Sequence, residues 1–309
     1  MYFSQSCGII KSANYLAVIL LMIEKIKSLL KKENIFLYSF YPLELCVIKK
    51  QYLLDRAGIS SGFAVIFAIP YYTKACEEQR NISSYAVCRD YHLFIKELEG
   101  RIIPTLKKDH PDTPFAMFAD HSPIDERDAA VRSGIGVIGK NGLLITKPYS
   151  SYVFIGELIV GAELAKDHYE ESELRYCENC GLCQKACPWL CSESNECLSA
   201  MTQKKGALTA SESELIKRYG LWGCDICTEV CPHTHRAIKE NTIYSPIEFF
   251  NRETIPYLTY DIVAEMDDDN FMQRAYSWRG RDTILRNTEI AEKEYETEFS
   301  SPKNPKAEK

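Results

Sequence analysis

The spacing of apolar and polar positions divides the chain into a long first part with regular periodicity, a middle part without it, and a helical end. Residues 1 to 60 carry apolar positions at helical intervals, with Leu45, Ile48, Tyr52 and Leu53 expected on one face and Gly58 closing the stretch. Residues 63–69 form an unbroken β-branched and aromatic run stopped by Pro70, which predicts a strand buried on both faces. Residues 85–98 read as helix and 115–119 as a second strand. Ser122-Pro123, with acids behind it, then predicts a helix opened by a capping serine and closed by Gly134. Two further strands are expected over 143–146 and 152–160.

The first 165 residues thus read as a mixed α/β domain. From 175 to 235 the regular spacing gives way to short loops. Beyond Ser245 it returns as helix around Ile262, Met266, Phe271 and Met272, and again over 283–291. The expected organisation is 1–165, 166–240, a helical segment over 241–299, and a polar tail over 300–309.

Composition narrows the class. At 309 residues and 46% apolar, the chain can bury a substantial core, which excludes a small disulfide-stapled module. Its 43 acidic residues against 37 basic ones give a net charge of -6, the wrong sign for gripping nucleic acid through an overall field. The apolar stretch from Tyr15 to Ile23 is too short to span a bilayer. Glu24, Lys25, Lys27, Lys31 and Lys32 follow it without a cleavage site, so a surface helix, no membrane contact and a cytoplasmic location are expected.

The cysteines carry the chemistry. Of 13, all but Cys7, Cys46, Cys76 and Cys88 lie between Cys177 and Cys231, and those four read as small buried hydrophobes. Cys177, Cys180, Cys183 and Cys187-Pro188 spell C-x2-C-x2-C-x3-C-P, the run by which bacterial ferredoxins hold [4Fe-4S] clusters and in which the last thiolate serves a second cluster. Cys224, Cys227 and Cys231-Pro232 supply that second run, one ligand short. Crossing the ligands gives one cluster on Cys177, Cys180, Cys183 and Cys231, and another on Cys187, Cys224, Cys227 and either Cys191 or Cys197. Cys197 is favoured, because Cys191 follows Cys187 too closely. A zinc site is the competing reading, but it asks for paired cysteines rather than a triplet followed by C-P.

Gly134, Gly136 and Gly139-Lys140 imitate nucleotide-binding loops. However, this loop follows a helix and precedes a strand, the reverse of what phosphate binding at a helix N-terminus requires, and position 141 is Asn where a Walker loop needs Ser or Thr. It either brings backbone close to a large ligand or forms a tight turn.

Taken in order, Phe118-Ala119-Asp120-His121-Ser122-Pro123 with Glu126-Arg127, the loop from Gly134 to Asn141, Phe154-Ile155-Gly156-Glu157, both cysteine runs, the stretch from Cys197 to Thr202, and Trp222-Gly223-Cys224-Asp225 resemble the epoxyqueuosine reductases. Tyr85-Ala86 and Asp90-Tyr91-His92 fit too. The resemblance implies two [4Fe-4S] clusters in a ferredoxin-like domain beside cobalamin in the α/β domain. It implies reduction of the epoxide of epoxyqueuosine in tRNA to the alkene of queuosine, fed by an external low-potential electron donor. By the same resemblance Asp120 matches the proton donor, while Tyr91, His92, Gly134, Gly136, Gly139, Lys140 and Asn141 match residues lining the corrinoid.

From the residues alone, Asp120 either caps the following helix or serves as that acid. Members of the family continue into a longer helical-repeat region that grips the anticodon arm, and this chain is expected to be a short member without it. Arg274, Tyr276, Trp278, Arg279, Arg281 and Arg286-Asn287 form the candidate RNA surface, or else an arginine-rich packing face. A corrinoid/iron–sulfur reductase of a small organic molecule and a non-catalytic electron-transfer protein are the alternative functions.

Overall fold

The computed structural model describes residues 3–164, 166, 169, 172–173, 175–188 and 197–299. Cys191 and the tail over 300–309 lie outside these residues, as does the side chain of Cys7. In chain order the elements are α1 (Phe3–Lys32), β1 (Tyr38–Pro42), α2 (Gln51–Ala57), β2 (Phe63–Pro70), α3 (Ser84–Val87), α4 (Tyr91–Asp109), β3 (Phe115–Phe118), α5 (Glu126–Arg132), β4 (Gly136–Ile138), β5 (Leu144–Thr146) and β6 (Val153–Val160). There follow α6 (Leu182–Ala186), α7 (Leu198–Thr202), α8 (Ala210–Tyr219), α9 (Ile226–Glu229), α10 (Pro232–Lys239), α11 (Tyr260–Glu265), α12 (Asp268–Met272) and α13 (Arg281–Phe299).

The chain divides into two compact units, each discontinuous where the expected boundaries were contiguous. An α/β unit takes Met1–Tyr71, Tyr91–Gly181 and Pro232–Glu248. A cysteine-rich unit takes Tyr72–Asp90, Leu182–Cys231 and Phe249–Lys309.

The α/β unit is built on an antiparallel sheet of order β1-β2-β6-β3. Every residue of β2 is buried, as its unbroken apolar run requires. On one face Tyr41, Ala64, Ile66, Ala68 and Ile159 pack with Ala129, Ala130 and Val131 of α5. Helix α4 packs on β3, and α1 packs on α4 through a stripe of Ile19, Met22, Ile23, Ile26 and Leu30.

Three expectations are corrected in this unit. The stretch 38–42 is a strand, not helix: Phe40 and Tyr41 are buried and pair with β2, and tertiary pairing overrides the helical spacing around them. Leu45, Ile48, Tyr52 and Leu53 consequently share no helix face. Ile48 and Tyr52 are exposed and Leu53 is buried. Ser122-Pro123 does not open α5 either. The Pro123 carbonyl accepts from the Lys49 and Lys50 N–H groups at 2.8 and 3.1 Å, and Asp125 donates its N–H to Val47. This ties the segment to its neighbour and postpones the helix until Asp125 caps it by accepting from Asp128 N–H at 3.2 Å.

The glycine loop is an antiparallel hairpin of β4 and β5. Gly139 donates to the Leu143 carbonyl and Gly142, with φ of 79°, donates back to Gly139. A Cβ on Gly139 would collide with the Asn141 side chain.

In the cysteine-rich unit α8 and α11 pack on α13. Trp222, Tyr276 and Ile284 are fully buried. The helical spacing near Ile262 to Met272 resolves into two short helices, because Thr259 and Asp267 each cap a separate start. Cys46, Cys76 and Cys88 are buried. Among the described residues, no helix is long and apolar enough to cross a membrane.

Candidate functional site: an acid on a strained turn beside a ring-lined cavity

Strand β3 ends at Phe118, and the chain turns sharply two residues later. The His121 N–H donates to the Ala119 carbonyl at 2.6 Å across Asp120, which takes a φ of 61°. This is the γ-turn of the rare positive-φ kind, strained by on the order of 1–3 kcal/mol for a non-glycine residue. Such strain persists only when surrounding bonds hold it. The Asp120 N–H donates to Glu126 Oε2 at 3.2 Å from the first turn of α5.

On the other side, Lys50 Nζ donates to His121 Nδ1 at 3.0 Å. An ammonium can only donate, so Nε2 carries the ring hydrogen and points it at Tyr52 Oη, 2.8 Å away. The turn is pinned from both flanks. Asp120 itself is exposed, and among the described residues no hydrogen bond or ion pair holds its carboxyl. Asp125 is the helix cap, so the capping role considered for Asp120 is ruled out.

Asp120 and Glu126 stand on the wall of a cavity of about 200 Å³. Across it lie Tyr91 and Phe154, stacked with ring centroids 3.9 Å apart and planes at 10°, together with Val153, Ile155 and Ser151. Arg127 lines it as well and donates to the Gly142 carbonyl at 2.9 Å, fastening α5 to the hairpin.

Ser151 follows a tight turn in which Thr146 bonds the Ser150 carbonyl through both N–H and hydroxyl, and Ser150 Oγ meets Thr234 Oγ1 at 2.7 Å. The Ser151 hydroxyl is buried and has no partner among the described residues. Of the residues expected around a corrinoid, Tyr91 lines this cavity. Gly142, Leu143 and Leu144 line it where Gly134, Gly136, Gly139, Lys140 and Asn141 do not, and His92 is an exposed neighbour whose ring is tilted against Tyr91 at 4.1 Å.

Behind the cavity wall sits an acid that sequence reasoning left without a role. Glu157 pairs with Phe118 and Ile66 in the sheet and is 0% exposed. Neither carboxyl oxygen has a hydrogen bond of ordinary geometry among the described residues. Burial pushes its carboxyl well above the glutamate range, Glu126 pushes it further, and the Ser122 hydroxyl opposes them. Burial also raises Glu126, against the pull of the Asp120 N–H. The signal in the sequence was a lone acid in an otherwise apolar strand.

In the cysteine-rich unit, Cys224 is the thiol with the most to say about its neighbours. Burial pushes it up to about 12, and Cys227, Asp225 and Cys197 add to the effect. Helix α6, which carries Cys183, packs on α9, which carries Cys227. Cys187 and Cys231 are half-buried; so is Cys177, which with Cys180 belongs to the α/β unit and whose N–H donates to the Ile138 carbonyl of β4 at 2.9 Å. Cys180 and Cys197 are exposed. Cys180 lies between Asn179 and Gly181, both at positive φ, so the chain there winds tightly. Among the described residues, no three His, Cys, Asp or Glu side chains stand close enough to hold one metal ion.

The expected RNA surface is mostly spent on packing. Arg274 donates to the Glu253 carbonyl, Arg281 to the Val263 carbonyl and Asp268, and Arg286 to the Lys204 and Gly206 carbonyls. Tyr276 and Asn287 are fully buried, the latter tying Thr202 to Leu221 at 2.8 and 2.7 Å. Trp278 alone presents a ring to solvent, with the Arg279 guanidinium 3.8 Å over it.

Fold and site together define an α/β protein with an acid-bearing, ring-lined cavity and a separate cysteine-rich unit. No protein-family model matches the chain. It is similar to an epoxyqueuosine reductase of Lactococcus garvieae, 29% identical over 215 residues, covering 65% of this chain and 58% of that one. To the epoxyqueuosine reductase of a Synechocystis species it is 32% identical over 206 residues, covering 63% of this chain and 70% of the relative. The structure of the Streptococcus thermophilus epoxyqueuosine reductase shares the fold at a TM-score of 0.65, with 24% identity and 87% and 80% of the two chains covered. A crystal structure of an epoxyqueuosine reductase with an epoxyqueuosine-modified tRNA-Tyr stem loop does so at 0.66, with 23% identity and 89% and 81% covered. The chain belongs to the epoxyqueuosine reductase family. It spans 58% to 69% of the length of the Lactococcus, Gloeobacter and Cyclobacterium relatives that it matches.

Proposed function

We propose that this protein reduces epoxyqueuosine in tRNA to queuosine in the cytoplasm, with Asp120 as the proton donor. The observation that carries this is the Asp120 turn: a strained, doubly pinned turn sets an unpartnered carboxyl on the wall of a cavity. Turning an epoxide into an alkene consumes two electrons and two protons and releases the oxygen as water, so an acid must meet the leaving oxygen. The relatives' shared name and the neighbour solved with a modified tRNA stem loop supply the substrate class. Another neighbour, from Bacillus subtilis, is described with an aspartate-bearing catalytic loop swung out of its active site.

Part of the cavity lining suits one edge of a corrinoid, a group far larger than the about 200 Å³ enclosed, while His92, Gly134, Gly136, Gly139, Lys140 and Asn141 stand outside the lining. The Tyr91–Phe154 stack with Val153 and Ile155 offers a flat apolar wall, and the orphaned Ser151 hydroxyl offers a polar hold. The spacing of the cysteines suits two [4Fe-4S] clusters, each C-P run lending its last thiolate to the other's cluster. Four thiolates around a cube also stand farther apart than four around a single ion. The proposed sets are Cys177, Cys180, Cys183 and Cys231 for one cluster and Cys187, Cys197, Cys224 and Cys227 for the other. When bound, these groups supply low-potential electrons, drawn from an external donor, and a cobalt centre able to reduce the epoxide. The chain itself contributes the Asp120 proton and the apolar wall that excludes water.

The test is anaerobic reconstitution followed by incubation with a reduced donor and tRNA carrying epoxyqueuosine, with digestion and nucleoside mass analysis. Queuosine is expected. Recovery of unchanged epoxyqueuosine from protein with full iron and cobalt content would overturn the reading and leave a reductase of another substrate. Cys197→Ala is expected to lower iron from about eight atoms to about four. Retention of all eight would assign that ligand elsewhere.

A further inference from the structure

The strongest unexplained feature is a buried acid with nothing to justify it. A carboxyl sealed into an apolar strand without hydrogen bonds destabilises a fold and is more cheaply replaced by an apolar residue. Glu157 comes close to such a group: it is 0% exposed, neither oxygen has a hydrogen bond of ordinary geometry among the described residues, and only the Ser122 hydroxyl is near. Its strand, β6, packs against α5, and the α5 carboxyl that acts on it is Glu126, the group gripping the Asp120 N–H. A carboxyl sealed from water resists ionising, and more so beside a second carboxylate. Glu126 has an N–H donor and the Arg127 guanidinium to favour its charge, while Glu157 has only the nearby Ser122 hydroxyl, so the proton belongs on Glu157.

We propose that Glu126 and Glu157 are positioning residues for the Asp120 acid: a carboxyl pair holding one proton, in which protonated Glu157 backs an ionised Glu126 that clamps the strained turn. The clamp rests on the Glu126 oxygen 3.2 Å from Asp120 N and on the positive φ that needs holding. The single proton keeps the pair at one negative charge. A second charge placed behind Glu126 would push it off the turn. The surrounding ionisable groups are few. Glu126 feels Asp120, Asp125 and Arg127. Glu157 is near Cys46 on the segment after β1, a thiol that burial pushes up to about 12, with Glu157 and Asp128 raising it further. None of these supplies Glu157 with a counter-charge.

The idea rests on the proposed reductase for its catalytic meaning, but its first tests need neither cofactor nor substrate. Infrared spectroscopy of the protein labelled with 13C-carboxyl glutamate should show a protonated glutamate at neutral pH. The band should be absent in Glu157→Gln and present in Glu126→Gln. Its persistence in Glu157→Gln, or its loss in Glu126→Gln alone, overturns the assignment of the proton.

Amide exchange at Asp120 reads the clamp. It should accelerate roughly tenfold in Glu126→Gln, since a neutral acceptor replaces a charged one, and stay unchanged in Glu157→Gln at neutral pH. No acceleration in Glu126→Gln overturns the clamp. In the active enzyme, Glu126→Gln should lower kcat with KM unmoved. Glu157→Gln, which cannot ionise, should lose the fall in kcat that follows ionisation of Glu157 in the wild type as pH rises. A wild-type profile identical to that of Glu157→Gln would leave Glu157 a passive core residue and overturn the proposal. If both spectroscopic tests succeed while epoxyqueuosine is not reduced, the substrate reading fails and the clamp stands.

Discussion

Glu157 in the α/β unit and Asp225 in the cysteine-rich unit are both acids removed from water, and the two regions treat them in opposite ways. Asp225 is 8% exposed and fully engaged. It accepts from the Ser83 hydroxyl, from Ser84 N–H and Oγ at 2.6 and 2.7 Å, and from Arg80 Nη1 at 3.1 Å. It fastens the 72–90 stretch to the turn that carries Cys224 and Cys227, so folding alone explains it. Glu157 has no such partners, and folding does not explain it. A buried charge with every bond made is a structural fastener. A buried acid with no more than a serine hydroxyl near it marks a place where the protein tolerates a loss of stability, and here that place lies behind the candidate acid.

The contrast can be broken most forcefully at Asp225. Asp225→Ala removes the acceptor shared by the Ser83 and Ser84 donors and one Arg80 N–H in the interior, and chemical denaturation of the apoprotein should show a loss of about 3–5 kcal/mol. A loss below about 1 kcal/mol would deny it the fastening role.

At Glu157 the sign is reversed and depends on pH. Its folded value lies above the ordinary 4.5, so the folded state binds the proton that the unfolded state releases. Stability is therefore full below about 4.5 and falls by up to about 1.4 kcal/mol per pH unit as pH rises toward the folded value. Thermal unfolding across that window should show this slope in the wild type and a flatter curve in Glu157→Gln. Parallel curves would place Glu157 among the ionised, satisfied acids.

The smallest effect is expected from Tyr52→Phe, which removes the hydroxyl bonded to His121. A destabilisation of about 1 kcal/mol, with faster exchange confined to residues around Asp120, is the expected outcome.

The sequence made some of this plain. Strand β2 follows from an unbroken apolar run and β6 from one interrupted at Gly156-Glu157, and the two C-P runs announce their chemistry by spacing alone. Asp120 was visible as an acid between a strand and a helix. The rest depends on partners distant in sequence. β1 is a strand because it pairs with β2, a fact absent from the helical spacing around it. Ser122-Pro123 looks like a helix start until the Lys49 and Lys50 N–H groups claim the Pro123 carbonyl. Arg274, Arg281 and Arg286 look like an RNA surface until carbonyls distant in the chain take their donors. Glu157 reads as a polar residue in a strand, and only its burial and its neighbour Glu126 give it meaning. The 72–90 stretch belongs with the cysteines because Asp225 binds it, which no local pattern records.

The central claim is that the carboxyl on the pinned turn delivers the proton that lets the epoxide oxygen leave. Its most direct test is a single-turnover comparison of the wild type and Asp120→Asn, each checked for equal iron and cobalt and for an undisturbed turn by exchange at His121. The wild type should convert bound epoxyqueuosine to queuosine. The variant should bind it and convert it at least about a hundredfold more slowly. Conversion by the variant at the wild-type rate would show that the proton comes from elsewhere and contradict the account.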